Sequence, residues 1–367
     1  MTETTHTPVT QADQSGKSGG QDASDSVRRA PAHDTRNAAQ LGLSMLSRYG
    51  LAFLLIGLII FFSAERPNSF FTYRNASSIM SNQSVIVIGG LSVLLTLIVG
   101  EFDLSIAANL SLGDALSVGL CERQHLPVAA AIVVAIAACT GVGLVNGLVV
   151  IRLQVNSFVA TLGMATFLAG MSQLYTGGTD IFTAPDSLTR LARTDVGKLP
   201  LAVFYAVGVA LILHILLRHT SLGRRMISVG GNARAATLSG IPAQRYRIAA
   251  FTAGGTVAGV AGVVLGATLG SATAAGNPDL LLPIFAAAIL GSTAVTPGRY
   301  NVPGLLLAVV FLAVAVSGLQ QMGVAAWIQP TFNGAALVVA VALSGWATRA
   351  RVAQARRRQL AAIANAR

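Results

Sequence analysis

From about residue 49 to residue 347 the chain is a near-continuous succession of ten apolar runs. They lie at roughly 49–64, 79–99, 105–121, 127–151, 155–175, 200–217, 248–270, 281–297, 301–322 and 326–347. A helix of ~20 apolar residues crosses the ~30 Å hydrocarbon core of a bilayer. Inside that core every backbone polar group must be satisfied without water, which a helix does by itself. The runs therefore predict an all-α, polytopic membrane protein with about ten transmembrane helices. Those at 49–64, 105–121 and 281–297 are the shortest, and a broken or re-entrant helix would read the same way.

Composition agrees: 53% of the 367 residues are apolar and only 11% are charged, under half the charge of an ordinary soluble domain. The net charge of +11 raises the question of a nucleic-acid partner. The basic residues answer it by sitting at the ends of apolar runs, with no basic stripe interleaved with aromatics, so the expected partner is the lipid bilayer and not nucleic acid. With the N-terminus inside and ten crossings, nineteen of the 25 Lys and Arg fall on the inner side and six on the outer. That excess places both termini in the cytoplasm. The organisation expected is a disordered polar tail over 1–48, a transmembrane domain over 49–348 with a long cytoplasmic loop at 218–247, and a basic tail over 349–367. Because the first apolar run begins near Tyr49, it reads as a retained anchor and not as a cleaved leader.

Small residues indicate how the helices pack. Gly255, Gly259, Gly262, Gly266 and Gly270 recur three or four apart on one run, and Gly141, Gly143 and Gly147 mark another; such faces let helix backbones approach closely. Cys121 and Cys139 fall in or beside apolar runs and read as buried, inert thiols.

Three carboxylates, Glu101, Asp103 and Asp114, lie in or at the edge of apolar runs. An acid at the centre of a membrane helix costs at least ~2.5–3.5 kcal/mol, so each needs a polar partner, a water-filled cavity or a capping role. Asp103 either caps the helix that comes after it or lines a substrate path. The same acids suggest a proton-coupled secondary transporter, although no second acid or Lys appears in the apolar part of the later runs, and His214 is the one His there. Enzyme signatures are weaker still. The five His residues show no metal-site spacing, and Gly16-Lys17-Ser18 lacks both the first glycine and the preceding strand of a phosphate loop. The chain is expected to bind no metal or cofactor and to hydrolyse no ATP of its own.

The longest polar interruption is the 218–247 loop. Within it residues 233–239 read as a two-turn helix, capped by Asn232 and stopped by Gly240. Small residues at Ala235, Ala236 and Ser239 would let that helix sit in a partner's cleft.

Four stretches carry a resemblance. Gly230-Gly231-Asn232, two alanines and Leu238-Ser239-Gly240-Ile241 resemble the cytoplasmic coupling loop of the ribose-type sugar permeases of ABC importers, within the branched-chain amino acid and monosaccharide permease superfamily. Asp103-Leu104-Ser105, Phe158–Gly163 leading to Tyr175-Thr176-Gly177-Gly178, and Ala288–Thr293 before Gly298-Arg299 agree with it in order. The resemblance implies a permease homodimer in a bacterial cell membrane, two cytoplasmic ATPase subunits that consume ATP, and an extracytoplasmic substrate-binding protein. It assigns coupling to Gly231, Asn232, Ala235, Ala236, Leu238, Ser239 and Gly240. It places Glu101, Asp103, Ser105, Asn156, Phe158 and Thr161 along the substrate path. Glu101-Phe102 and Leu281-Leu282-Pro283-Ile284 depart from the family pattern near that path. The expected function is inward passage of a monosaccharide such as ribose; a proton-coupled transporter and an ABC permease for a non-sugar polar solute are the alternatives.

Overall fold

The computed structural model describes residues 35–342, with side chains from Arg48 onward. The tails expected at 1–48 and 349–367 fall largely or wholly outside these residues, although a helix already starts at Thr35. The chain separates into two units, 1–42 and 43–367, and the second holds the packed core.

In chain order the elements are α1 (Thr35–Glu65), α2 (Tyr73–Ile98), α3 (Ile106–Glu122), α4 (Val128–Arg152), α5 (Ser157–Thr176), the short α6 (Asp186–Arg193), a hairpin of β1 (Asp195–Val196) and β2 (Leu199–Pro200), then α7 (Leu201–His219), α8 (Ser221–Gly231), α9 (Ala233–Leu238), α10 (Ala243–Leu269), a 3-10 turn (Pro278–Leu280), α11 (Leu281–Gly291), α12 (Val302–Gln321) and α13 (Ile328–Ala342). Each of the ten apolar runs holds a helix. Seven of them, Arg48–Glu65 of α1 and all of α2, α4, α5, α7, α10 and α12, are long and apolar enough to cross a membrane. The chain is thus a polytopic, mostly helical membrane protein. The run at 49–64, read as short, lies in a full-length span, whereas α3 and α11 fall short for a physical reason. α3 has only 17 residues and carries Asp114 in its middle, and α11 has 11 residues bounded by Pro278–Leu280 and by the 292–301 loop.

Helices in lipid gain nothing by hiding apolar surface from one another, so contact must come from close backbone packing and hydrogen bonds. α10 supplies both. A Cβ on Gly255 would lie 3.0 Å from the Gly143 amide nitrogen, and one on Gly259 would lie 2.8 Å from Cys139 Cβ. These glycines seat α10 antiparallel on α4, while Gly262 and Gly266 press against Gly113, Asp114 and Ser117 of α3. Of the two predicted glycine faces, Gly141 looks into open space and Gly270 ends α10 at a φ of +70°; the others make the seam. Polar side chains tie it together. Ser92 donates to the Gly254 carbonyl at 2.7 Å, Thr140 and Thr256 share a 2.9 Å hydroxyl contact, and Asn109 and Cys139 bond reciprocally to each other's carbonyls at 3.1 and 3.2 Å. α2 closes the other side of α10; 72% of its apolar window is buried, against 17% for α1 and α5. The latter two keep most of their surface for lipid or a partner.

Gly262→Val should remove the folded protein. Its side chain would fall on the Leu110 carbonyl, 2.8 Å from the Asp114 amide and 2.9 Å from Gly113 Cα; backbone cannot give way as a side chain can, and overpacking costs ~1–3 kcal/mol or more. Gly163→Ala on α5, where no atom lies within 4 Å, should be neutral. Monodisperse protein recovered in mild detergent and its melting temperature check both.

Candidate functional site

The 218–247 loop is more structured than its sequence suggests. α8 occupies its first third, a helix the sequence reading did not anticipate, because its two C-terminal glycines and pair of arginines mask its apolar positions. α9 comes next, as expected. Asn232 Oδ1 accepts the Ala235 amide at 2.9 Å, and Gly240 adopts a φ of +81° just beyond the helix, the left-handed conformation that glycine takes without strain. Arg225 bonds the Tyr246 hydroxyl at 2.9 Å and closes the loop on itself. One expectation is corrected here. Ala236 is 5% exposed and packs into the main core, so it does not present itself to a partner; Ala235, Ser239 and above all Leu238, 84% exposed, form the outward face. The glycine pair divides in the same way. Gly230 rests on the Ile98 carbonyl at the end of α2, with no room for a Cβ, whereas nothing lies within 4 Å of a Cβ on Gly231.

The end of α2 leads into the second feature, the non-helical link 99–105. Backbone at this depth is tolerated only where protein satisfies it. Gly100 turns the chain at a φ of +84°, and the Glu101 amide returns to the Thr96 carbonyl at 3.0 Å. Asp103 Oδ1 accepts both the Ser105 amide at 3.0 Å and the Ser105 hydroxyl at 2.6 Å, Asn146 of α4 donates to that hydroxyl at 2.8 Å, and the Leu104 amide donates to Thr161 of α5 at 3.0 Å. Glu101, 5% exposed, pairs with Arg247 in the first turns of α10. Asp103 therefore holds the turn that opens α3, a role close to the capping alternative, although Ser105 is the residue at the cap position itself.

Four of the six residues assigned to a substrate path, Glu101, Asp103, Ser105 and Thr161, are brought together in this buried knot. Asn156 caps α5 by accepting the Phe158 and Val159 amides at 2.9 and 3.4 Å, and Phe158 stands 53% exposed outside the knot. None of the six lines the principal polar cavity. Contact of the link with Gly230 and Arg247 puts it on the same side of the molecule as the 218–247 loop.

That cavity, of about 410 Å³, opens at the other ends of the helices. It is lined from α2 by Asn75, Ser78, Asn82 and Gln83, from α12 by Ser317 and Gln320, and from α13 by Gln329 and Asn333, with Pro283 and Leu280 at its floor. Gln321 donates to Asn75 at 3.0 Å, while the amides of Asn82, Gln83, Gln320, Gln329 and Asn333 have no hydrogen-bond partner among the described residues. Neutral amides offering donors and acceptors without charge suit an uncharged, hydroxyl-rich solute. Sequence reading missed them by searching for acids. The available signal was four amides near the ends of apolar runs, Asn82, Gln83, Gln320 and Gln321, with Asn75 just ahead of the first of these runs; polar groups are costly to keep there.

Residues 75–341, well over half of the chain, match the family model described as branched-chain amino acid transport system / permease component. The chain belongs to that family. Among curated relatives, the ribose import permease protein RbsC of Escherichia coli (strain K12) is 29% identical over 78% of this chain and 90% of its own length. The L-arabinose ABC transporter permease protein AraH of Azospirillum brasilense is 27% identical over 81% of this chain and 87% of its own. The D-allose transport system permease protein AlsC of Escherichia coli (strain K12) is 27% identical over 81% and 91%. No solved structure matches. The permease family match begins at Asn75 and ends at Val341, so it covers the amide cavity, the 99–105 link and the 218–247 loop alike. The resemblance to ribose-type permeases is upheld.

Arg247→Ala should destabilise the permease by ~2–4 kcal/mol, because Glu101 would remain buried and unpaired; the lower end reflects the third of the Arg247 side chain that stays accessible. The double substitution Glu101→Gln/Arg247→Gln, which removes both charges, should recover more than half of the loss. A double-mutant cycle on melting temperature measures it.

Proposed function

We propose that this chain is the membrane-spanning permease subunit of an ATP-driven importer for a monosaccharide, of the ribose, arabinose and allose class named for its relatives. The observation that carries the substrate class is the uncharged amide cavity, which answers sugar hydroxyls and offers no counter-charge to a charged amino acid. In this reading ten helices cross or enter the membrane, both termini are cytoplasmic, and the 218–247 loop faces the cytoplasm; the excess of basic residues on that side supports it. The cavity then opens outward, toward a substrate-binding protein, and the 99–105 knot closes the path on the cytoplasmic side. A second permease copy completes the pore, and separate ATPase subunits hydrolyse ATP. No step needs a cofactor on this chain.

Coupling is read from the packing. An ATPase grips the outward face of α9 at Leu238, Ala235 and Ser239. α9 follows α8 across the single capping residue Asn232, α8 rests through Gly230 on the end of α2, and that end runs into the Glu101–Arg247 pair and the turn that opens α3. Force applied at α9 thus reaches the knot through backbone contacts and one ion pair. A motor shifts the equilibrium only through a surface whose contacts differ between states, and this is the surface α9 exposes. Of the three acids behind a proton-coupled reading, Glu101 and Asp103 are engaged in holding structure.

Three outcomes test the reading. Vesicles carrying the chain alone should accumulate no sugar, and adding the ATPase and binding protein should restore uptake that survives collapse of the proton gradient; gradient-driven uptake by the chain alone overturns it. Asn82→Leu and Gln320→Leu should each lower uptake about tenfold or more with ATPase recovery unchanged, since a site's unpaired amide loses ~1–3 kcal/mol of solute contact. Leu238→Asp should reduce co-purification of the ATPase while the permease melts as wild type, whereas Ala236→Asp should destabilise the permease itself.

A further inference from the structure

A second cavity, of about 500 Å³, lies where the end of α2, the last turns of α7, α8 and the 292–301 loop meet, on the side of the 218–247 loop. Its walls are apolar, with Leu97, Ile98, Leu217 and Ile227 among them. Its charged lining residues are Arg218 and Arg299, with His214 alongside and no carboxylate. Neither arginine has an ion pair or a side-chain hydrogen bond among the described residues. The N-terminus of the 20-residue α12, at Val302 and Pro303, adds its positive end to the same hollow. The rim is preformed: Val295, held at a φ of +60°, exchanges two bonds with Arg48, its amide to the Arg48 carbonyl at 3.0 Å and the Arg48 Nε to its own carbonyl at 2.9 Å. Arg48 is thereby occupied, and Arg218 and Arg299 are left to an anion.

What adjoins the hollow decides the kind of anion. Val207, Leu211 and Ile215, 58, 56 and 48% exposed, run along one face of α7 at helical spacing and lead to Arg218. A bare apolar stripe on a membrane-spanning helix therefore runs into a basic pocket at its end. A free phosphate would use the arginines and ignore the stripe; a molecule with a phosphate and acyl chains uses both. Basic pockets between helix ends are where anionic headgroups are held.

We propose that this cavity binds the headgroup of an anionic phospholipid, with its phosphate between Arg218 and Arg299 and an acyl chain along Val207, Leu211 and Ile215. The lipid would brace the start of the 218–247 loop against the 292–301 loop. The proposal rests on the chain being a membrane protein and not on which solute it carries, so it stands or falls separately from the sugar reading.

The test is native mass spectrometry of the full chain in a non-ionic detergent, offered equal amounts of phosphatidylglycerol and phosphatidylcholine. Wild type should retain phosphatidylglycerol about tenfold or more over phosphatidylcholine. Arg218→Gln/Arg299→Gln should abolish that preference, and Arg152→Gln, at the end of α4, should leave it intact. Equal retention of the two lipids by wild type overturns the proposal, as does an unchanged preference in the double variant or its loss in Arg152→Gln. Displacement of phosphatidylglycerol by millimolar inorganic phosphate would assign the site to a free anion instead. Should the double variant fail to fold, Ile227→Trp fills the hollow with both arginines kept and should lose the same preference; retention there also overturns the proposal.

Discussion

The close approach of α10 to α3 and α4 is the contact on which the other features depend. In lipid no apolar surface is freed from water when two helices meet, so the gain must come from atoms in contact and from hydrogen bonds. Gly255, Gly259, Gly262 and Gly266 remove the side chains that would hold the backbones apart. With α3 and α4 both seated on α10, Asn109 of α3 bonds the Cys139 carbonyl of α4, and on another side of α10 Ser92 of α2 bonds the Gly254 carbonyl. With α3 and α4 so placed, Asn146 meets Ser105, and side chains of α4 and α5 hold the non-helical link ahead of α3.

That link gives the molecule two chemically distinct ends. On the side of the 218–247 loop the two buried acids are engaged, Glu101 by the Arg247 guanidinium and Asp103 by the Ser105 amide and hydroxyl. On the other, neutral amides surround an open cavity. An alternating-access permease needs such a contrast, with one end competent to receive a polar solute and the other sealed by bonds that a motor can rearrange. In the reading proposed above, Glu101 and Asp103 serve the seal, and the amides serve the solute. Asp114 stands between them, its Oδ2 accepting from Asn277 at 3.4 Å and its Oδ1 buried without a partner among the described residues. It ties α3 to the segment that precedes α11.

The α9 helix shows how burial reassigns residues that a sequence treats alike. Ala235 and Ala236 are neighbours of identical chemistry, yet one faces outward and the other is packed into the core, because a helix turns by about 100° per residue and α9 lies against the body of the protein. In the same way Gly230 is required for contact with the carbonyl of Ile98, and Gly231 next to it touches nothing.

The membrane class, the helices within the apolar runs, the α9 helix with its Asn232 cap and Gly240 stop, and the glycine face of α10 were all legible in the amino-acid sequence. Each rests on periodicity, capping or composition, and these act over a few residues. Which glycines carry the crossing, which alanine points inward, and whether a buried acid meets solute or an arginine were decided by tertiary structure alone. Glu101 and Arg247 are 146 positions apart, and the amides of Asn82 and Gln329 share a cavity across 247. No local pattern encodes such a meeting; it exists only once α2, α10, α12 and α13 have packed.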